Sequence, residues 1–328
     1  MKNILILFFL CFSFFGNAQD ATSLYASARD YMMKGNFDKA SSTIDKALEA
    51  DPNNLEIQKD RAYILYLKKD YGPAREAGEK IIERKDADVQ SYQVLGLTYQ
   101  AIAETKKAEK MYRNGIERFP ASGVLYADYG NLLYENKNYK EAIKNWEAGI
   151  KADPNYSSNY YYAAKYYADN NDPLWSALYG EIFANIESFS KRTAEIKPIL
   201  ITDYKKMLQQ PLASSGQNAF AKTVGALLDK NKKEGSQEIN LATVSAIRTS
   251  FISEWSKKYT STYPFRLFEY QQQLTRENVF NAYNAWLFSD EDSADYKSWV
   301  QLHSAEAEKF KALQGGRLFK VPLQQYYH

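Results

Sequence analysis

The sequence predicts an all-α protein: helix–turn–helix hairpins stacked in series through the first half, then an irregular helical C-terminal domain. Three observations predict it. Glycine (15) and proline (9) are too scarce in 328 residues for a turn-rich β fold. Apolar residues fall at helical spacing rather than in alternation, as with Val244, Ile247, Phe251 and Trp255. Small residues mark a strict period of 34: Ala40, Ala74, Ala108 and Ala142.

The chain is long enough for about two domains. Its hydrophobic share of 45% supplies a real core, and charged residues at 25% are ordinary for a globular protein. Lysine and arginine (42) nearly balance aspartate and glutamate (40), so the net charge of +2 excludes a globally basic nucleic-acid binder. Tyrosine is abundant at 27.

Residues 1–18 have the three-part form of a secretory signal peptide. Lys2 gives a positive start, Ile4 to Phe15 is an apolar run, and Gly16-Asn17-Ala18 offers small residues before a cut after about Ala18. The run is too short to span a bilayer, which needs ~20 apolar residues. No later segment is apolar for as long, so no transmembrane span is expected in the mature chain. Cys11 is the sole cysteine and lies inside this segment, preceded by Phe8-Phe9-Leu10 rather than the small residues of a lipidation site. The mature chain therefore has no disulfide, cysteine metal site or cysteine nucleophile.

Four segments follow the period: 21–54, 55–88, 89–122 and 123–156. Pro52, Pro120 and Pro154 sit on the same grid, with Asp86 in the missing proline's place. Each proline stops a helix, since it lacks an N–H and restricts its predecessor. Alanine and glycine notches (Ala28, Ala62, Gly96, Gly130) admit neighbouring helices, and Tyr31, Phe37, Tyr71, Tyr99 and Tyr139 fill the gaps beside them. Tyr112 and Trp146 should pack towards the next unit. Gly78 stands where other units carry Ile44, Tyr112 or Trp146, so a looser joint is expected there. A fifth, degenerate unit over 157–190 begins with Tyr160, Ala163-Ala164 and Tyr167, with the register of its second helix shifted by about one.

Gly35-Asn36-Phe37-Asp38-Lys39-Ala40, Asp70-Tyr71-Gly72-Pro73-Ala74, Leu95-Gly96-Leu97-Thr98-Tyr99, Asn138-Tyr139-Lys140-Glu141-Ala142 and the turns Asp51-Pro52-Asn53-Asn54 and Asp153-Pro154-Asn155 resemble the tetratricopeptide repeat (TPR) family. The resemblance covers residues 21–190. It implies a right-handed superhelix over 19–190, followed by a helical domain over 191–328. It also implies that the first helices line a concave groove. Helical spacing then names the groove members: Tyr25, Arg29 and Met32; Lys59, Tyr63 and Tyr66; Gln93 and Gln100; Asn131 and Tyr134; Tyr161 and Lys165. Tyrosine, methionine and amides suit adaptable recognition of an extended peptide. Relatives that grip the acidic C-terminus of heat-shock chaperones carry lysines, asparagines and an arginine at these positions. This sequence lacks that set, so that ligand is not implied.

The second half shows no period beyond about residue 190. It reads as helices over 196–210, 219–228, 240–259, 265–273, 276–288 and 295–313, then an extended tail from Leu318. Its aromatic stripes read as core. Chemistry is poorly supplied. His303 and the terminal His328 are the two histidines, and neither belongs to a paired motif. Gly315-Gly316-Arg317 lacks a phosphate loop's context, and Asp290-Glu291-Asp292 with Asp295 lacks calcium-loop spacing. Lys230, Lys232 and Lys233 read as a solvated loop, while Glu269 and Glu277 would need the fold to pair them. No catalytic residue, metal or cofactor is therefore expected.

The expected function is that of an exported, non-enzymatic scaffold. It would be periplasmic and bind a protein partner, as a subunit or accessory factor of an outer-membrane assembly or secretion complex. Attachment to the outer membrane would run through that partner. The alternative is a glycan or small-ligand binder that stacks sugar rings on tyrosine and tryptophan.

Overall fold

The computed structural model describes residues 20–212, 218–232, 240–289 and 294–325, and every regular element among them is a helix. The signal-like segment with Cys11, the residues Lys233, Asp290, Glu291, Asp292 and His328, and the side chain of Asp295 lie outside the described residues. Contacts divide the chain into two compact units, 1–138 and 139–328.

The first unit holds α1 (20–33), α2 (Phe37–Ala50), α3 (Leu55–Leu67), α4 (Tyr71–Ile82), α5 (Val89–Ala101), α6 (Thr105–Arg118) and α7 (Gly123–Glu135). Each helix packs on the next, and the odd-numbered helices also meet each other directly, α3 on α5 and α5 on α7. Polar caps start several of them: the Asn54 side chain accepts from the Glu56 and Ile57 amides, and Asp88 and Ser91 form a reciprocal box. Ala40, Ala74 and Ala108 are fully buried, so the periodic methyls are the sites of close helix approach. Gly96 is the tightest notch: a Cβ there would sit 2.6 Å from Cε1 of Tyr112. The Tyr112 ring then stacks on Tyr129 of the following helix at 6.2 Å.

Gly78 does not make a loose joint. Leu95 enters the space, and a methyl on Gly78 would lie 3.0 Å from its Cδ1 and 3.2 Å from its Cβ. The missing proline at Asp86 is offset by Arg84. Its guanidinium pairs with Asp86 at 2.8 Å and donates to the Asn53 carbonyl at 3.0 Å, tying one closing turn to the previous one. One period on, Arg118 repeats the tie to the Lys85 carbonyl at 2.7 Å.

The second unit begins with α8 (Tyr139–Ala152), α9 (Ser157–Asp169), α10 (Pro173–Ile186) and α11 (Lys191–Gln209). The bounds of α10 are those of α8 moved by one 34-residue period, so its register is not shifted. The small residue at the alanine position is Ser176, fully buried, rather than Ala177. Trp146 stacks on Tyr162 at 5.4 Å, as its place in the period predicts. All of Leu174 to Asn185 is buried, so α10 is an interior helix rather than a polar-faced cap. α11 starts at Lys191, earlier than the expected Ile196, because Ser190 caps it through the Thr193 amide and the helix runs on through Pro198.

The remaining elements are α12 (Ala219–Asn231), α13 (Leu241–Lys258), α14 (Arg266–Arg276), α15 (Phe280–Phe288), α16 (Ala294–Leu302) and α17 (Ser304–Gly316). The helix expected over 295–313 is broken at His303 into α16 and α17. α13 starts where the sequence places it, with Asn240 accepting from the Thr243 amide at 3.0 Å. Val244, Ile247, Phe251 and Trp255 are all buried, so that stripe is core. Phe220, Trp255, Phe265 and Phe268 pack ring against ring at 4.9–6.2 Å. The extended tail is held at Val321, whose N–H donates to Asn155 Oδ1 (2.9 Å) while its carbonyl accepts from Asn155 Nδ2 (3.1 Å).

Candidate partner-binding face

The turn inside each hairpin aims the first helices. Gly35, Lys69, Ala103, Lys137 and Asn171 all have positive φ, between 57° and 73°, and stand one period apart. The left-handed residue reverses the chain at the same step each time. Side chains one period apart therefore fall into columns across α1, α3, α5 and α7.

One column is Tyr25, Lys59, Gln93 and Ala127. Apart from the alanine it is a column of donors, and the acceptors of Tyr25 and Gln93 stand one position on in the following repeat. The Tyr25 hydroxyl donates to Asp60 at 2.8 Å. Gln93 Nε2 donates to Asp128 at 2.9 Å. Gln100, on the far end of α5, likewise donates to Glu135 at 2.7 Å. Sequence reasoning named the donors and missed the acids. The signal was available, because Asp60 and Asp128 share a register position two periods apart.

In the first unit, Tyr25, Met32, Tyr63, Tyr66, Gln93, Gln100 and Asn131 are half-buried, and Arg29 and Tyr134 are exposed. Arg29 lies over the Tyr25 ring and approaches Asp60 at 3.6 Å. Tyr63 and Tyr66 stack nearly parallel at 6.0 Å. Met32 leans on the core of the first hairpin. Lys59 does not point outward. It is 2% exposed, bonded to Glu56 at 2.6 Å and to Asp88 across to the next hairpin. Burial works against its charge, but the Asp88 and Glu56 carboxylates prevail and hold its pKa above the ordinary lysine value. Ala127, one period after Gln93, is buried.

In the second unit Tyr161 does not point outward either and is 6% exposed. Its hydroxyl donates to Glu195 on α11, and Arg192 covers its ring. Lys165 is exposed and reaches the Tyr161 oxygen at 3.2 Å.

Asp128 has a different balance from Asp88, whose pKa the Lys59 and Ser91 bonds lower against the effect of burial. Burial pushes the Asp128 pKa up to about 6, and the Gln93 bond offsets this only in part. The charges of Asp128 and Glu135 both act on Tyr66 and Tyr112. Burial is the first cause of the raised Tyr66 and Tyr112 values, with the nearby carboxylates adding to it.

The other concentration of charge lies in the core of the second unit. Glu181 (1% exposed) meets the Arg248 guanidinium at 2.9 Å, accepts from Gln271 at 2.6 Å and Tyr283 at 2.8 Å, and is reached by Tyr204 at 3.3 Å. Phe280 and Phe288 flank the guanidinium. Four helices and α10 thus meet on one carboxylate, a structural knot rather than an open site. Glu269 and Glu277, eight residues apart along α14 and its cap, stand about 12 Å apart along the axis. Glu277 pairs instead with Arg317 at 2.8 Å. Lys230 is on α12 and pairs with Glu254 at 2.6 Å, and Lys232 pairs with Asp229, so these two are not a free basic loop. His303 is exposed and stacks on Trp299 at 4.5 Å.

Helical hairpins stacked with a shared period, presenting one face of first helices, define a helical-repeat scaffold. Residues 25–89 and 89–122 each match the tetratricopeptide repeat family, so the repeats over that span are tetratricopeptide repeats. Among curated proteins the chain is similar to tetratricopeptide repeat protein 21B of Homo sapiens, 29% identical over 140 residues, covering 42% of this chain and 10% of that protein. The Mus musculus protein of the same name is 28% identical over 141 residues, covering 42% and 11%. The chain thus spans about a tenth of the length of the curated relatives it matches. Among solved structures it is similar to TTC0263, a thermophilic TPR protein in Thermus thermophilus (TM-score 0.49, 13% identity, 55% of this chain and 99% of that one). It is also similar to MamA (TM-score 0.40, 21% identity, 49% and 94%). The matched repeats make this region a tetratricopeptide scaffold.

Proposed function

We propose that this protein is an exported scaffold whose first-helix face holds an extended segment of a protein partner. Its setting is the periplasm, where it serves as a subunit or accessory factor of an outer-membrane assembly or secretion complex. The carrying observation is the run of half-buried and exposed tyrosines and amides along α1, α3, α5 and α7. Such side chains give a partner contact area and hydrogen bonds at low entropic cost. The signal-like residues 1–18 support export, and no helix among the described residues is long and apolar enough to cross a membrane. Trp146, Trp175, Trp255 and Trp286 are buried, which favours a protein ligand over sugar stacking.

The test is fractionation of the native host with N-terminal sequencing of the mature chain, followed by gentle-detergent co-purification. The proposal expects a periplasmic or envelope-bound protein beginning near Gln19, with a defined envelope partner at fixed stoichiometry. An uncleaved protein in the cytoplasm contradicts export, and a purely monomeric envelope protein contradicts the scaffold role.

A further inference from the structure

The face of the first unit treats its carboxylates unequally. Asp60 has Arg29 beside it, and Asp88 has Lys59. Further along, α7 carries Asp128 and Glu135, and neither α5 nor α7 has a lysine or arginine. Each of these two carboxylates is met only by a neutral glutamine amide, and neither forms an ion pair among the described residues. The charges of both act on Tyr66 and Tyr112, and the Tyr112 hydroxyl lies 3.5 Å from the Gln100 amide oxygen. Tyr66 is half-buried, with its ring plane set by stacking on Tyr63.

We propose that Asp128 and Glu135, with the Tyr66 ring, form a seat for arginine or lysine side chains, so that the segment docking on this face is basic. The chain supplies its own cations to the earlier carboxylates and leaves these two for a ligand. A guanidinium would replace the single amide contact with a charge-assisted bond and could lie against an aromatic face. Burial already disfavours the lone charge of Asp128, so an incoming cation gains more there than at a solvated carboxylate. The two carboxylates lie two turns apart on α7, about 10 Å by helical rise, which an extended chain spans in about three residues. The matching segment carries two basic residues three apart. This inference rests on the first-helix face being the docking face.

The test uses the mature full chain and three labelled twelve-residue peptides on one neutral host sequence. They carry two arginines, two glutamines or two glutamates at positions three apart, and binding is read by fluorescence anisotropy at low and high salt. The arginine peptide should bind at least ten-fold more tightly than the glutamine peptide at low salt. That advantage should disappear in D128N/E135Q and at high salt, and should survive in K110Q on α6. Thermal melts of D128N/E135Q confirm folding, which the loss of a buried lone charge should not weaken. Equal binding of the arginine and glutamine peptides, or an arginine preference that survives D128N/E135Q, overturns the seat and leaves the docking face standing. Arginine-peptide binding that is lost in K110Q but kept in D128N/E135Q overturns both, because the ligand then sits on the opposite helices.

Discussion

At the scale of single residues, the two carboxylate environments make opposite predictions. Glu181 and Arg248 are both buried and pair with each other, so removing one leaves an uncompensated charge in the core. Glu181→Ala or Arg248→Ala should each cost about 3–5 kcal/mol in denaturant unfolding, and the double variant should cost less than the sum. Asp128 is the reverse case. Its pKa in the fold, about 6, lies above the ordinary carboxylate value of 3.8. A raised value favours the protonated fold, so the contribution is full below about pH 4 and is lost as pH rises through 6. Its hydrogen-bond partner, Gln93, carries no positive charge. Asp128→Asn should therefore match the parent at pH 4 and exceed it by about 1–3 kcal/mol at pH 7.5, measured by paired melts. The sequence disclosed the donors on this face but not Lys59's burial. A lysine in a column of tyrosine and glutamine looks solvent-facing until Asp88 of the next hairpin closes over it.

At the scale of elements, the period is carried by turns as much as by helices. The left-handed position is glycine only at Gly35 and alanine at Ala103, where φ is 58°. A Cβ at Gly35 would meet nothing within 4 Å, so Gly35→Ala tests backbone strain alone and should cost about 1 kcal/mol. Ala103→Gly should gain about 0.5 kcal/mol, because relief of that strain exceeds the glycine's extra unfolded entropy. Both are read from thermal melts. The same logic shows how far the fold was legible. Alanines, prolines and aromatics on a fixed grid identify the hairpins through α8 without any coordinates. The fifth hairpin keeps the grid, but serine replaces the marker alanine at 176 and disguises the register. One period past Asn171 the turn position is Lys205, which lies inside α11. The helix runs straight through the place where the chain should reverse, and the repeat pattern ends there for that physical reason.

At the scale of the whole molecule, a tetratricopeptide array continues into helices that share its packing chemistry but not its period. The aromatic excess divides accordingly. Rings on α12 to α15 pack on each other in the core, whereas Tyr25, Tyr63, Tyr66 and Tyr134 keep part of their surface on the first-helix face. Residues beyond 190 were legible as helices and as core, because stripes such as Val244 to Trp255 need only burial to be read. Their partners were not legible, since contacts such as Glu181 with Arg248 join positions 67 residues apart with no motif between them. The proposed function turns on the first-helix face meeting a protein. Site-specific photo-crosslinking in the native host tests this most directly, with a photoreactive phenylalanine placed at Tyr66 or Tyr134 and, separately, at Lys110 or Glu117 on α6. The account predicts a discrete protein adduct from positions 66 and 134 and none from 110 and 117. Adducts confined to positions 110 and 117 would contradict it.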